Sequence, residues 1–207
     1  MKQIINTFFL IDFFRNIKFF YNWYKKGFIS PAPNFVKHKI IGNFLIKDSI
    51  FIETGTNEGK TLRKLYKNFS YSYSIEPSDF YYNLSKKNLS DLSNKIELVH
   101  STSEDSLEKI LLKCKNNDVT FFLDGHYSGK NTYHGKTDTP IEFEIKLILK
   151  HLKFFKNIVV VIDDFRCFEK ENYPNKNFLV NLAYENNLFF TIEHDMFIIS
   201  SIIKFKK

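Results

Sequence analysis

The 207-residue sequence has few of the residues that mark several protein classes. Its two cysteines, Cys114 and Cys167, are far apart and in no metal-ligand spacing, so neither a disulfide framework nor a zinc site is predicted. Seven glycines and five prolines do not suit a collagen-like or low-complexity chain. The 43% hydrophobic and 26% charged fractions are those of a globular protein. We expect one α/β domain in a reducing, cytoplasmic compartment.

Arginine is also scarce. The chain has 30 basic and 23 acidic residues, a formal net charge of +7, but its only arginines are Arg15, Arg63 and Arg166. Recognition of nucleic-acid phosphates and base edges favours the planar fork of arginine. No nucleic-acid partner is therefore expected, and attraction to a phosphorylated acceptor or an anionic membrane explains the lysine excess better.

No apolar run is long enough to span a membrane as a helix. The first apolar stretch is interrupted by Asp12 and Arg15 and lacks a small-residue cleavage site, so neither a transmembrane helix nor a signal peptide is predicted. Apolar residues recur at helical spacing, which predicts an amphipathic N-terminal arm with a linker over residues 1–32. Packing on the domain or on a partner, for example in a homodimer, is the favoured role. Peripheral contact with a membrane is the alternative.

Residues 33–207 alternate apolar runs with helical patterns, which is typical of βα units around a parallel sheet. The prolines of the preceding Ser-Pro-Ala-Pro segment interrupt any helix from the arm. Strands are predicted at 50–54, 71–76, 96–101, 118–124 and 157–163. Helices are predicted at 59–69, 79–90, 103–115, 140–153 and 176–187.

The end of the chain departs from this alternation. The apolar runs 188–193 and 197–205 are separated only by a turn at His194 and Asp195. A parallel crossover needs a dozen or more residues, so these two strands must form an antiparallel hairpin. The predicted fold is α/β: a Rossmann-like, seven-stranded, doubly wound sheet with an antiparallel C-terminal hairpin, plus the N-terminal helical arm.

Two glycines follow the first predicted strand, which contains Glu53 and ends at residue 54. Gly55 and Gly59 permit a tight strand-to-helix turn and the close approach of a ligand, and the next helix offers free N–H groups. Only three residues separate the glycines, so the turn is not a P-loop. Ligands of such sheets bind beyond the carboxyl ends of the strands, which makes Thr56 and Asn57 candidate contacts. A plain turn with a helix cap is the alternative.

The second predicted strand ends in Glu76 and Pro77. An acidic side chain at this position can accept hydrogen bonds from both hydroxyls of a ribose. A solvated strand-end carboxylate is the alternative interpretation. Its coincidence with the glycine turn favours a nucleoside-binding role.

Three aspartates close two further strands. Asp124 ends the fourth predicted strand, and Asp163 and Asp164 end the fifth. Neighbouring parallel strands bring these carboxylates to one edge of the sheet, where they repel unless they are protonated or bridged by a cation. A hard divalent ion such as Mg²⁺ is the expected cation. Helix capping by Asp163 or Asp164, with Asp124 facing solvent, is the alternative.

These residues together resemble a class I S-adenosylmethionine-dependent methyltransferase. The glycine turn resembles the first motif of that family, acidic-x-Gly-x-x-x-Gly, and Glu76 stands at its ribose-binding position. The resemblance covers residues 33–207 and implies S-adenosylmethionine as the cofactor. The cofactor contacts that it implies are Glu53, Gly55, Thr56, Asn57, Gly59, Glu76, Pro77, Ser101, Ser103 and Asp124.

The aspartates resemble the site of metal-dependent sugar O-methyltransferases of the macrocin O-methyltransferase type. This resemblance implies that Asp124, Asp163 and Asp164 hold Mg²⁺ or another divalent ion that binds two oxygens of a sugar acceptor. The acceptor is then part of a surface polysaccharide, a nucleotide sugar or a glycosylated metabolite. The acceptor proton goes to His126 or to an aspartate, with Asp124 the first of these. A surface position for His126 is the alternative.

A long polar loop, residues 125–139, follows Asp124, and it is interpreted as a lid over the acceptor. The candidate acceptor contacts are Tyr127, Tyr133, His134 and Arg166. The loop and the residues after it also resemble a pattern in uncharacterised bacterial methyltransferase-like proteins. Two other functions stay open: methyl transfer to a phosphate, phosphoramidate or other small acceptor, and a non-catalytic cofactor-binding module.

Overall fold

The computed structural model describes residues 17–126, 129, 131–133, 135, 139–170 and 173–202. Its strands are β1 (Ser49–Thr54), β2 (Phe69–Ile75), β3 (Ile96–Val99), β4 (Asp118–Leu123), β5 (Asn157–Ile162), β6 (Phe189–Glu193) and β7 (Met196–Ser200). Helical residues 17–25 form α1. The other α-helices are α2 (Asn34–Phe44), α3 (Lys60–Leu65), α4 (Asp79–Asn88), α5 (Ser103–Lys113), α6 (Ile141–Lys150) and α7 (Lys176–Glu185).

All seven strands form one sheet in the order β3-β2-β1-β4-β5-β7-β6. Strands β1 to β5 pair in parallel, whereas β7 is antiparallel to both β5 and β6. This confirms the predicted Rossmann-like sheet and its C-terminal hairpin. The crossover direction changes between β1 and β4, and ligand sites in such folds lie beside that change.

Side chains of the strands alternate between two apolar cores. Phe51 packs into the core that includes α2 and α3, and the next residue, Ile52, packs into the core that includes α5 and α6. Both faces of the central strands are covered by helices, as a parallel sheet requires. The carboxyl ends of the strands are left for polar groups.

The predicted helix over 59–69 is shorter in the structure. α3 ends at Leu65, one 3₁₀ turn follows, and β2 already begins at Phe69. The ring of Phe69 stacks on that of Phe51 with their centroids 4.4 Å apart. This buried contact draws Phe69 into the sheet, two residues before the predicted start of the strand.

Two of the described helices precede β1: α1 lies within the predicted arm, and α2 follows it. Helix α2 was not among the predicted helices, and it buries Ile40 and Ile41 against the sheet. In α1 the ring of Trp23 lies 5.5 Å from that of His194, in the turn between β6 and β7. Residues 1–16 of the predicted arm and residues 203–205 of the predicted last strand lie outside the described residues. No helix in the described part combines the length and apolar character needed to cross a membrane.

Candidate active site

The turn after β1 passes directly over the end of β4. The Gly55 N–H donates to the carbonyl oxygen of Ile75, which draws the turn towards β2. Gly55 has φ +86°, and a Cβ atom built there would lie 2.6 Å from the carbonyl oxygen of Asp124. Both the left-handed backbone and this close approach require glycine.

Glu53 is buried beside the turn and is linked to it by hydrogen bonds through Ser74. Its carboxylate accepts a 2.6 Å hydrogen bond from Ser74, whose hydroxyl also lies 2.6 Å from that of Thr56. Glu53 is only 2% exposed, and burial raises its pKa to about 8. Gly59 has φ +76°, and a Cβ atom there would lie 2.8 Å from the Leu89 side chain. These two predicted cofactor residues therefore shape the turn.

Glu76 is buried where β2 ends, and its carboxylate is oriented by the backbone. Oε2 accepts from the Asn57 N–H at 2.8 Å, and Oε1 accepts from the Ser78 N–H at 2.9 Å. Burial raises the pKa of Glu76, and these two hydrogen bonds oppose the rise. Each carboxylate oxygen keeps a lone pair for a further donor.

Two of the clefts at this edge of the sheet contain most of the predicted site residues. The first cleft lies on the β2 side; its lining includes Gly55, Asn57, Glu76, Pro77, Ser103, Asp124, His126, Tyr133 and Glu144. The second cleft lies below α2; its lining includes Asn34, Lys37, His38, Gly55, Thr56, Asn57, Lys60, Thr61, Asp124 and Asp163. The two clefts share Gly55, Asn57 and Asp124, so they meet at the glycine turn.

Most of the predicted site residues line one of the two clefts, but several do not. Glu53, Gly59, Ser101, Asp164 and Arg166 are described, but they line neither cleft. Tyr127 and His134 of the predicted lid lie outside the described residues.

The register of β4 and β5 brings the aspartates to one edge, as predicted. Leu123 pairs with Ile162, so Asp124 and Asp163 follow neighbouring strand ends. The side chain of Lys37 enters between α2 and this edge, with Nζ 2.5 Å from Asp163 Oδ2 and 3.8 Å from Asp164 Oδ1. Burial alone would lower the pKa of Lys37, but the neighbouring carboxylates raise it above its usual value.

A second cation lies on the other side of the aspartates. Arg166 Nη1 is 2.5 Å from Asp164 Oδ1 and also contacts the carboxylate of Asp195. Burial alone would raise the pKa of Asp164, but the charges around it, with that of Lys37 the largest, hold it below its usual value. The protein therefore offsets part of the negative charge of its acidic edge with its own cations.

The predicted metal ligands do not fit this arrangement. Within the described ranges, two groups have ligand atoms within 4.8 Å of one another: Asp124, His126 and Asp164, and Asp163, Asp164 and Asp195. Neither is the predicted set of three aspartates. Each group contains a carboxylate already paired with Lys37 or Arg166, which a divalent ion would have to displace. Cations of the chain itself thus already contact the carboxylates that were predicted to hold the metal.

His126 lies between two carboxylates. Its Nδ1 is 3.4 Å from Asp124 Oδ1, and its Nε2 is 3.3 Å from Asp164 Oδ2. The contact with Asp124 raises the pKa of the imidazole although burial opposes it. The surface position that was the alternative for His126 does not describe a side chain held in this way.

The cleft residues that were not predicted include two buried or half-buried charged side chains, Lys37 and Glu144. Lys37 is 126 positions from Asp163 and lies in the helix that was not predicted, so no local pattern could indicate the contact. The sequence does contain a signal that could have identified Glu144 as a site residue. It lies in α6 among the apolar residues Ile141, Ile145 and Ile148, which repeat at helical spacing, and an acid on that face is unusual.

No protein-family model matches the sequence, and no curated protein sequence is similar to it. Solved structures do match its fold. The precorrin-6y C5,15-methyltransferase of Geobacter metallireducens has a TM-score of 0.54 at 11% identity, over 82% of this chain and 87% of that chain. The N-methyltransferase NodS of Bradyrhizobium japonicum has a TM-score of 0.53 at 10% identity, over 81% and 94%.

A third match is TrmK of M. capricolum, solved with S-adenosylhomocysteine, with a TM-score of 0.50 at 12% identity, over 79% of this chain and 66% of that chain. The chain has a Rossmann-like methyltransferase fold. Similarity at these identities shows the fold alone. A shared fold does not specify the reaction or the acceptor, which depend on the groups of the site.

Proposed function

We propose that the protein is an S-adenosylmethionine-dependent O-methyltransferase that acts on a hydroxyl of a sugar. The observation that carries the proposal is that two clefts of different character meet at Gly55, Asn57 and Asp124. One cleft has the groups that suit a nucleoside, and the other is lined mainly by polar and charged side chains. Such a junction is what group transfer between two bound molecules requires.

The residues of the first cleft fit the cofactor. The Glu76 carboxylate is held by the Asn57 and Ser78 N–H groups with lone pairs left for ribose hydroxyls. Gly55 keeps the turn flat against Asp124, so no side chain separates the two clefts there. When bound, S-adenosylmethionine supplies an electrophilic methyl group.

The second cleft suits an acceptor with several hydroxyls. Asp124 and Asp163 offer carboxylate oxygens, and Asn34, Lys37 and Thr61 offer donors. Lys37 fixes Asp163 through their 2.5 Å contact, and so the carboxylate keeps one orientation. A sugar presents alternating donors and acceptors to such a surface.

The acceptor hydroxyl must lose its proton as its oxygen attacks. Asp124 lines both clefts and lies 3.4 Å from the imidazole of His126. We assign proton acceptance to this pair, with Asp124 next to the acceptor and His126 behind it in the first cleft. Lys37 and Arg166 stabilise the negative charge of the edge, so the proposed reaction needs no divalent ion.

The test measures binding first and transfer second. Calorimetry with S-adenosylhomocysteine on the wild type and on Glu76→Gln examines the cofactor site; we expect binding that weakens in the variant. Label transfer from S-adenosylmethionine to nucleotide sugars and glycans examines the reaction; we expect transfer that Asp124→Asn abolishes. The matched control is Asp48→Asn, since Asp48 is exposed before β1 at the opposite edge of the sheet.

The results separate the open functions. Absence of S-adenosylhomocysteine binding by the folded protein would overturn the proposal. Binding without transfer to any acceptor would favour a non-catalytic module. Transfer only to phosphate or amine acceptors would keep the cofactor and replace the sugar.

A further inference from the structure

Helix α1 exposes most of its apolar side chains. Among its described residues only Trp23 is buried, and its ring lies 5.5 Å from that of His194. Ile17, Tyr21 and Tyr24 are spaced by four and three residues, so they share a face of the helix that is turned away from Trp23. Each of these three residues is roughly half exposed. An apolar face that stays in water calls for a partner.

The turn after α1 adds a further apolar residue to this surface. The Gly27 N–H donates to the Tyr24 carbonyl oxygen, with Gly27 at φ +67°. The Phe28 N–H donates to the Trp23 carbonyl oxygen, and the two hydrogen bonds together form a Schellman cap. The cap directs the Phe28 ring onto that of Trp23, with their centroids 4.8 Å apart. The next residue, Ile29, is thereby held outward and is 68% exposed.

The segment that forms this surface carries only positive charge. Lys25 and Lys26 are exposed at the end of α1, and Lys25 Nζ lies 4.9 Å from the centre of the Tyr21 ring. The sequence has no aspartate or glutamate from residue 13 to residue 47. The exposed lysines and apolar side chains of this surface are called the arm patch, which consists of Ile17, Tyr21, Tyr24, Lys25, Lys26 and Ile29.

The arm patch lies at the edge of the sheet where the clefts open. Helix α1 contacts the turn between β6 and β7, in which the carbonyl oxygen of Asp195 accepts from the Phe165 N–H just after β5. Ile29 is followed five residues later by Asn34, which lines the second cleft. Five residues of extended chain span at most about 18 Å. A partner bound to the arm patch is therefore held close to the second cleft.

We propose that the arm patch docks the protein on an anionic lipid bilayer. Tyrosine rings favour the boundary between headgroups and acyl chains, and an aliphatic side chain such as Ile29 is buried favourably among the chains. Lysines beside these residues are attracted by anionic headgroups. The docking does not depend on the proposed function, because no residue of the arm patch lines either cleft.

Two other partners fit the arm patch less well. In a symmetric dimer the patch of one copy would face the same patch of the other, so lysines would meet lysines, and like charges across an interface are costly. A single-stranded nucleic acid stacks its bases on aromatic rings or arginine, and Ile17 and Ile29 offer neither. The combination of aliphatic, tyrosine and lysine side chains favours a bilayer.

Co-sedimentation of the full chain with lipid vesicles tests the docking. One set of vesicles is phosphatidylcholine alone, and the other contains equal parts of phosphatidylcholine and phosphatidylglycerol. We expect the protein to bind the anionic vesicles at least about tenfold more tightly, because their headgroups attract the lysines. Added NaCl should weaken this binding by screening the charges.

A pair of lysine variants locates the charged part of the surface. The double variant Lys25→Gln, Lys26→Gln should lower the affinity for anionic vesicles about tenfold or more, since each lysine near such a surface strengthens binding several-fold. The matched control is Lys86→Gln, Lys87→Gln. These two lysines are also adjacent and exposed, at the end of α4, and their loss lowers the net charge equally.

The variant Ile29→Ser examines the apolar part of the arm patch. We expect it to lower the affinity for anionic vesicles about fivefold or more, because less apolar surface is buried in the bilayer. The matched control is Ile192→Ser, since Ile192 is exposed in β6 and lies outside the arm patch.

Trp23 reports which surface meets the bilayer. It is the only tryptophan of the chain and lies in α1. Brominated acyl chains quench tryptophan emission only at close range. Anionic vesicles with brominated chains should therefore quench the emission of the bound protein more than the same vesicles without bromine.

The outcomes separate the partners. Vesicle binding that weakens in the Lys25, Lys26 variant and persists in the Lys86, Lys87 variant supports the proposal. A wild type that sediments with neither kind of vesicle overturns it, and so do equal losses in the two lysine variants or binding without quenching of Trp23. Dimerisation that Ile29→Ser abolishes, with no vesicle binding, would assign the arm patch to a second copy of the chain. Retention of single-stranded RNA in place of vesicles would assign it to nucleic acid.

Discussion

The ammonium group of Lys37 lies 2.5 Å from Asp163 Oδ2, and this contact joins α2 to the end of β5. Both side chains are largely buried, with 17% and 1% of their surfaces exposed. Burial raises the pKa of Asp163, whereas the ammonium group favours its charged form. The helix before the sheet thus completes the acidic edge.

Lys37→Met should destabilise the protein. Removal of one partner from a buried ion pair costs about 3 kcal/mol, because the other charge stays buried without a partner. Urea unfolding should show this loss, and Lys39→Met is the control because Lys39 is exposed on the same helix. The double variant Lys37→Met, Asp163→Asn should recover much of the stability. Equal free energies of unfolding for Lys37→Met and the wild type would show that the contact does not stabilise the fold.

Gly55→Ala should impair both folding and ligand binding. The new methyl group would lie 2.6 Å from the Asp124 carbonyl oxygen at a positive φ, so the turn must move. We expect a loss of about 2 kcal/mol or more in the free energy of unfolding, with weaker binding of S-adenosylhomocysteine.

Gly42→Ala is the matched control for that variant. Gly42 lies inside α2 and no atom is within 4 Å of a Cβ built there. Alanine should stabilise the helix by about 0.5–1 kcal/mol and leave binding unchanged. The same loss in both glycine variants would contradict the role given to Gly55.

The parts of the structure that follow from local patterns could be predicted, and those that depend on distant contacts could not. The βα alternation and the short link at His194 and Asp195 sufficed for the sheet and its hairpin. The strand-end rule also placed Asp124 beside Asp163. The sequence did not predict which cations compensate these charges. The sequence predicts that the carboxylates repel, but one of the cations that contact them is Lys37, which no spacing links to them.

The boundaries of β2 show the same limit on a smaller scale. The strand begins at Phe69 because that ring stacks on Phe51 of the neighbouring strand. Within the sequence, residues 59–69 continue a helical pattern and give no sign of this partner. Packing across strands decides where the helix ends.

Glu53→Gln should change how stability depends on pH. The pKa of Glu53 is about 8 in the folded protein and near its ordinary value of 4.5 in the unfolded chain. The protonated acid is the form that folding favours, so its contribution is complete below about pH 4.5 and is lost as the pH rises to about 8. Glutamine stays neutral and keeps an oxygen that accepts from Ser74.

The stability of Glu53→Gln relative to the wild type should therefore increase between pH 5 and pH 8, by on the order of 2 kcal/mol. Denaturant unfolding at several pH values measures this difference. Glu185→Gln is the control, because Glu185 is exposed at the end of α7. A constant difference between Glu53→Gln and the wild type across this range would show that the acid titrates alike in both states.

Magnesium should stabilise Lys37→Met and leave the wild type unchanged. In the wild type, Lys37 and Arg166 contact Asp163 and Asp164, so a divalent ion at these carboxylates would have to displace a cation. Without Lys37, the carboxylate of Asp163 loses its partner beside Asp124, and oxygen ligands with uncompensated charge favour a hard divalent ion. A ligand that binds only the folded state raises the melting temperature. Thermal melts with millimolar Mg²⁺ or with NaCl at the same ionic strength separate specific binding from screening. A wild type that melts higher in Mg²⁺ and loses methyl transfer in EDTA would instead favour a metal site at these aspartates.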